Sequence, residues 1–459
     1  MQECTESHEV TVVGAGLAGS ECALQLASRG VRVRLVEQRP QRMTPAHHTD
    51  RFAELVCSNS LKATRLESAA GLLKQELMRL GSRLLPLAIE CAVPAGGALA
   101  VDREAFSAAV TGAIEAHELI EVVREEATSI PEGRSVIAAG PLCSSALFEA
   151  IGRAVGGESL SFFDAAAPIV DADSIDRDVV FSQSRYEGTD GGDYLNCPFD
   201  KESYEAFWRE LVAAERVISH DFETRELFQA CQPVEEVGRK GLDTLRFGAL
   251  KPVGLVDPRT GRRPWAVVQL RPETAAGTAY NLVGFQTNLT WPEQARVFRL
   301  IPGLENAEFL RYGVMHRNSF VDSPHVLDAT FRIPGTATRL AGQITGTEGY
   351  VEAIASGLLA GLNTWCDLCG QPSVSLPATG ALGSLVAYAT SPETAEYQPM
   401  HVNFGLFPPL GGPRLKKRER FARFSRRALD DLDAYLATRP ELGCPGASAA
   451  TEVGEGIDG

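Results

Sequence analysis

Long apolar runs are missing from this chain: no stretch of its 459 residues is long enough to span a bilayer. The opening residues, Met1-Gln2-Glu3-Cys4-Thr5-Glu6, lack the basic start and apolar centre of a signal peptide. Together these absences predict a cytoplasmic protein with no membrane contact. Ten cysteines are too few, in a chain this long, to build a disulfide scaffold, and a reducing compartment would keep them as thiols. Cys366 and Cys369 form a CxxC, but there is no second CxxC and no HxxxH to complete a zinc site. No metal site is therefore expected, and the pair reads as two thiols at a helix end. Internal repeats are absent. Positive charge is in deficit: 44 Lys and Arg against 59 Asp and Glu leave −15. That excludes general adhesion of the surface to nucleic acid, so an RNA partner would need a local basic patch. The hydrophobic share of 44% and the charged share of 22% fit an ordinary globular chain of two or three domains.

What is present begins at Val10-Thr11-Val12-Val13, a short buried β-type run. A turn follows: Gly14-Ala15-Gly16-Leu17-Ala18-Gly19. Gly14 permits the tight turn, Gly16 lets the backbone approach a pyrophosphate, and Gly19 lets the next helix pack closely. That helix offers unpaired N–H groups to a phosphate. Gly30 ends it, and Val31-Arg32-Val33-Arg34-Leu35-Val36 alternates as the next strand. Glu37 closes the strand, where an acid can bind ribose hydroxyls. Strand, turn, helix, strand and acid in this order make a far stronger signal than the glycines alone. Just beyond lies a peptide with two histidines and a thiol: His47-His48-Thr49-Asp50-Arg51-Phe52-Ala53-Glu54-Leu55-Val56-Cys57-Ser58-Asn59-Ser60. A cofactor turn and a candidate nucleophile so close in sequence suggest an enzyme whose thiol works beside its cofactor.

Further along, Leu72, Leu73, Leu77 and Leu80 give helical spacing over 66–90. Ser135-Val136-Ile137-Ala138-Ala139-Gly140-Pro141 reads as a strand entering a turn. Residues 160–320 carry more aromatics and charged turns. Thr338-Arg339-Leu340-Ala341-Gly342 is a strand end, and Val351, Ile354, Ala355, Leu358, Leu359 and Leu362 then repeat every 3.6 residues. The helix they predict starts at a glycine-rich turn, so its positive end can face a ligand. The basic patch is found at 414–427, with Lys416, Lys417 and Arg418 at its start and Phe421 and Phe424 interleaved. A solvated helix face is the competing reading.

These motifs bring the chain to a family. It resembles the FAD- and folate-dependent tRNA uracil-5-methyltransferases (TrmFO) from about residue 9 to about residue 435. The glycine turn and Cys57 peptide carry the resemblance first. Val93-Pro94-Ala95-Gly96-Gly97-Ala98-Leu99-Ala100-Val101-Asp102-Arg103 continues it, as do Asp193-Tyr194-Leu195-Asn196-Cys197-Pro198 and Asp243-Thr244-Leu245-Arg246-Phe247-Gly248. Met315-His316-Arg317-Asn318 and Ala341-Gly342-Gln343-Ile344-Thr345-Gly346-Thr347-Glu348-Gly349-Tyr350 complete it. The fold expected is α/β. A Rossmann-type FAD-binding domain in two parts, 1–160 and 325–440, surrounds an inserted α+β domain at 161–324, and 441–459 is a disordered tail.

The resemblance implies methylation of C5 of a T-loop uridine in tRNA, with 5,10-methylenetetrahydrofolate as carbon donor and FAD with NADPH or NADH as reductant. No obligate protein partner is inferred. The same chemistry on a uridine of large-subunit ribosomal RNA is an alternative. A small-molecule flavin oxidoreductase, needing neither cysteine, is another. Uracil C5 is a poor nucleophile until a thiolate adds at C6, so the reaction needs one nucleophilic cysteine and one general base. By resemblance, Cys231 in Phe228-Gln229-Ala230-Cys231-Gln232-Pro233 attacks C6. Cys57 is the base, or the thiol guarding the flavin-bound carbon. The family usually has Glu-Gly where Gln229-Ala230 stands here, and Ala restricts the loop backbone relative to Gly. Gly14, Ala15, Gly16, Leu17, Ala18, Gly19, Glu37, Gly342, Gln343, Thr345 and Gly346 are the expected FAD contacts. His47, His48, Arg246, Lys251, Arg271, His316, Arg317, Asn318, Lys416, Lys417 and Arg418 are candidates for folate, flavin or RNA.

Overall fold

The strand Glu9–Val13 lies at the centre of a five-stranded parallel sheet in the order Thr338–Leu340, Ser135–Ile137, Glu9–Val13, Arg32–Glu37, Ile120–Arg124. The computed structural model describes residues 9–443 except 45, 157–158, 166, 186–191, 218–231, 274–275, 314, 395–396 and 413–414, with backbone alone at 159–165 and 316–318. The strands are apolar at their inward positions, and Val10, Val12, Leu35, Val136 and Ile137 are fully buried, while charged residues such as Arg32 and Glu121 occupy exposed positions. The helix Leu17–Ala27 is buried along its whole length. It packs on the 19-residue helix Tyr350–Leu368. The strand Thr338–Leu340 thus returns the late part of the chain to the first sheet.

The helical stretch expected over 66–90 is two helices, Ala69–Arg79 and Leu84–Glu90. The leucine spacing carries on across the break, but Gly81 takes φ +76° and ends the first helix. The fully buried carboxylate of Glu21 then accepts the N–H groups of Arg83 and Leu84, which fixes the start of the second. A small antiparallel sheet, Ser60–Ala63 with Ala98–Val101 and Ala92–Val93, lies nearby in the chain.

A second core forms around a six-stranded sheet in the order Phe181–Ser182, Leu195–Phe199, Ala266–Pro272, Ala279–Leu282, Ile169–Asp171, Phe309–Arg311. Phe199, Phe207, Phe285 and Phe298 pack in tilted and edge-to-face contacts through its interior. The chain enters and leaves this region along an antiparallel pair, Ser159–Ala165 with Met315–Val321. At the other end, the basic run opens the helix Lys417–Thr438. Leu442 after it is fully buried, and its carbonyl accepts Arg29 Nη2 at 3.0 Å. Packing therefore continues past 441, where a tail was expected, because this leucine finds a pocket beside the first helix. Residues 444–459 lie outside the described residues.

Candidate active site

The carboxyl ends of the central strands open onto a cavity of about 370 Å³. In an open α/β sheet this is where ligands sit. Gly14, Gly16, Leu17, Ala18 and Glu37 form one wall, Ala138 to Leu142 another, and Gly342 and Gln343 a third. Gly14 has φ +95°, a conformation glycine adopts without strain. At Gly19 a Cβ would stand 1.7 Å from the Gly14 carbonyl oxygen, so strand and helix can meet only with glycine there. At Gly16 the reverse holds. A Cβ would meet nothing within 4 Å, and the helix start behind it has no side-chain cap. Space, unpaired N–H groups and the helix dipole together fit a diphosphate.

Glu37 is tied into this turn. Its carboxylate accepts the Ala15 N–H at 2.8 Å and Arg39 Nε at 2.9 Å. Burial works to raise its pKa, but the Arg39 hydrogen bond and charge and the Ala15 N–H outweigh it and hold the carboxyl below its usual range. An ionised carboxylate facing the cavity beside a phosphate cradle fits the ribose of a dinucleotide. The residues present therefore fit FAD. Ala15 and Gly19 shape the turn, while Thr345 and Gly346 are absent from the cavity wall. Thr345 instead closes its own turn through the Gly342 carbonyl, and Gly346 sits against Tyr397.

Cys57 lines the same cavity and is half-buried. Its backbone is held from every side. The N–H groups of Cys57 and Ser58 both donate to Tyr350 Oη, at 2.8 and 3.1 Å. Arg103 donates to the carbonyls of Leu55 and Cys57, and Arg311 to that of Val56. Arg271 reaches Ser58 Oγ and Asn59 Oδ1, both at 2.8 Å. All three guanidinium groups lie within electrostatic reach of the Cys57 sulfur. Burial first, then the neighbouring Cys57, pushes the Tyr350 phenol well above its ordinary pKa, so it stays protonated.

The two histidines divide. His47 lines the cavity and bonds Thr44 Oγ1 through Nδ1 at 2.6 Å. Burial, then the charge of Arg39, pushes it down to about 4, leaving a neutral ring at neutral pH. His48 is exposed, and its backbone N–H bonds Glu54, which also takes the Thr49 N–H and Arg39.

Other expected residues go elsewhere. Cys231, with Gln229 and Ala230, lies outside the described residues, as do the side chains of His316, Arg317 and Asn318 on their strand. Arg246 stacks 3.6 Å over the Trp265 ring, bonds its carbonyl and pairs with Asp243; it is not among the cavity residues. Lys416, Lys417 and Arg418 are exposed at the start of the basic helix. Phe424 is buried there, packed with Phe404 and Phe407. Among the described residues no group of His, Cys, Asp and Glu could hold a metal, and no helix is long and apolar enough to cross a membrane.

Arg39, Arg103, Arg311, Lys62, Gln286 and His401 belong to the site or its support and were not anticipated. Arg103 and Tyr350 ended quoted motifs, which was the available signal. For the others no local pattern existed.

A family model described as glucose inhibited division protein A matches residues 9–372. Methylenetetrahydrofolate--tRNA-(uracil-5-)-methyltransferase TrmFO of Geobacter sulfurreducens is 58% identical over 431 residues, 94% of this chain and 99% of its own. The protein of the same name from Symbiobacterium thermophilum is 56% identical over 446 residues, 96% of this chain and 99% of its own. Among solved structures, Aquifex aeolicus GidA matches with TM-score 0.67 at 16% identity, across 95% of this chain and 79% of that one; this is a likeness of fold. High identity along nearly the whole of both chains is membership: this chain belongs to the TrmFO family of methylenetetrahydrofolate--tRNA-(uracil-5-)-methyltransferases.

Proposed function

We propose that this protein methylates C5 of a T-loop uridine in tRNA, taking the carbon from 5,10-methylenetetrahydrofolate and reducing equivalents from NADPH or NADH. The observation that carries this reading is one cavity lined by both the glycine turn and Cys57. When bound, FAD supplies the reductant and relays the one-carbon unit. The chain's own residues do the rest. Gly14, Gly16 and Glu37 seat the dinucleotide. Tyr350, Arg103, Arg271 and Arg311 hold the Cys57 peptide still, so its thiol faces the cavity in a fixed geometry.

We assign attack on uracil C6 to Cys231, which makes C5 nucleophilic. Cys57 is assigned to the flavin side, as base for the C5 proton or as the thiol that guards the carbon unit. In support, Val234, just past Cys231 in sequence, donates to the carbonyl of Gln286 at 2.7 Å, and Gln286 lines the cavity. His47, neutral and cavity-lining, is suited to an aromatic or hydrogen-bonding contact with a bound ring. The reaction belongs to the cytoplasm, where tRNA is modified, and requires no second protein. The test is incubation with unmodified tRNA, labelled methylenetetrahydrofolate and NADPH, scoring 5-methyluridine. Labelled product is expected; its absence, or methyl transfer from S-adenosylmethionine without folate, sinks the reading.

A further inference from the structure

Lys62 sits in the short strand Ser60–Ala63 with φ +65°, a left-handed conformation that costs a lysine free energy a glycine avoids. The pairing of this strand with Ala98–Val101 slips between Ser60 and Ala63. Such bulges re-aim a side chain, often beside an active site. Here Lys62 lines the cavity.

Its Nζ pairs with Glu352 Oε1 at 3.0 Å. Glu352 is fully buried, and the same oxygen also takes the Val402 N–H at 3.1 Å. Among the described residues its Oε2 has no hydrogen-bond partner. The pair is pressed against the cavity wall: a Cβ on Gly349 would lie 2.3 Å from Oε2 and 2.8 Å from Nζ. Gly349 is the residue from which the helix Tyr350–Leu368 starts, so the helix's positive end is at this spot. Behind it, buried Lys74 donates to the Ala63 carbonyl at 2.9 Å. One ammonium group and a helix N-terminus thus face the carboxylate, with the Lys74 ammonium bonded to the strand behind. His401 lines the cavity as well.

A flavin ring gains negative charge on two-electron reduction, and charge placed near its pyrimidine edge tunes that step. Resting on the FAD reading above, we propose that Lys62, held by Glu352, is the cation that stabilises the reduced, anionic flavin ring in this cavity. The bulge and the left-handed backbone place that charge at the cavity.

The test is the midpoint potential of the FAD-loaded full-length protein, set by equilibration with a reference dye. Lys62→Met should shift the oxidised-to-reduced ratio at fixed potential about tenfold toward oxidised, roughly 30 mV for two electrons. Lys62→Gly should do the same in its flavin-loaded fraction, since it removes the same charge while relaxing the left-handed backbone, although it leaves the buried Glu352 carboxylate unpaired and so melts lower. Lys62→Arg should stay near wild type. Flavin-loaded Met and Gly variants with unchanged potentials overturn this inference alone. A loss in the Arg variant equal to that in the Met variant also overturns it, because packing and not charge would be responsible. A wild-type protein that takes up no FAD overturns the cofactor reading, and this inference with it.

Discussion

Gly16 is defined by the empty space above it. A Cβ there meets no protein atom within 4 Å, so a valine would project into the volume assigned to the diphosphate. Gly16→Val is therefore expected to fold normally and to lose most of its bound FAD, checked by flavin absorbance per protein and by circular dichroism. Full flavin content in the variant would remove this turn from the cofactor site. The thiols give a second prediction. Cys231→Ala should abolish methylation and keep its flavin, and Cys57→Ala should abolish turnover as well. A 5-fluorouridine RNA should trap a covalent adduct that peptide mapping places on Cys231; an adduct on Cys57, or full activity in Cys231→Ala, would reverse the two roles. Glu37 and Cys57 were legible in the sequence because each sits in a contiguous motif. Arg39 and Arg311 were not. Arg311 reaches the Val56 carbonyl from a strand of the other sheet, and no local spacing encodes so distant an approach. Arg39 is close to Glu37 in sequence, yet its role rests on burial of both side chains, which composition does not reveal.

Helices in this protein are often finished by residues from elsewhere in the chain. Ala381–Thr390 starts at Gly380 with no side-chain cap of its own. Glu76, from the helix Ala69–Arg79, accepts the N–H groups of Ala381 and Leu382 at 2.6 and 2.9 Å. Burial nevertheless pushes Glu76 up to about 7 from 4.5. The folded protein then binds this proton more tightly than the unfolded chain does. Its contribution to stability is complete below about pH 4.5 and is lost as pH rises through 7, by at most about 1.4 kcal/mol per unit. Glu76→Gln should flatten the stability–pH curve in that window, measured by denaturant melts at several pH values. An unchanged slope would clear Glu76 of the effect. The same dependence on distant partners limited what periodicity could tell. Spacing located the helix Tyr350–Leu368 well, since its apolar stripe is continuous. It joined two helices across Gly81, because the break is made by a positive φ and by Glu21 and leaves the leucine pattern intact. In the basic helix, Phe424 reads in sequence as interleaved with the cations of a nucleic-acid patch or of a solvated face; it is core.

The molecule as a whole carries −15, yet its exposed basic helix presents Lys416, Lys417, Arg418, Arg420, Arg423 and Arg426 to solvent. If that face meets phosphates, changing Lys416, Lys417 and Arg418 together to alanine should weaken tRNA binding. It should also lower the salt dependence by roughly one unit per lost phosphate contact, with FAD content unchanged. Titrations at several salt concentrations decide it; equal affinity and equal slope would leave the helix a solvated face. At this scale the order of segments was readable, since the return of a strand near 338 follows from its sequence pattern. The way the two cores share one loop was not, because that depends on side chains meeting across more than two hundred residues. The arginine contacts on the Cys57 peptide bear on the timing of synthesis. A ribosome that has released the glycine turn and Cys57 has still to make Arg271, Arg311, the sheet strand Thr338–Leu340 and Tyr350. Domains usually settle as they emerge, amino end first. This one must wait until most of its length has been translated before its thiol is in place, so a prematurely ended chain carries the nucleotide turn without a working cysteine beside it.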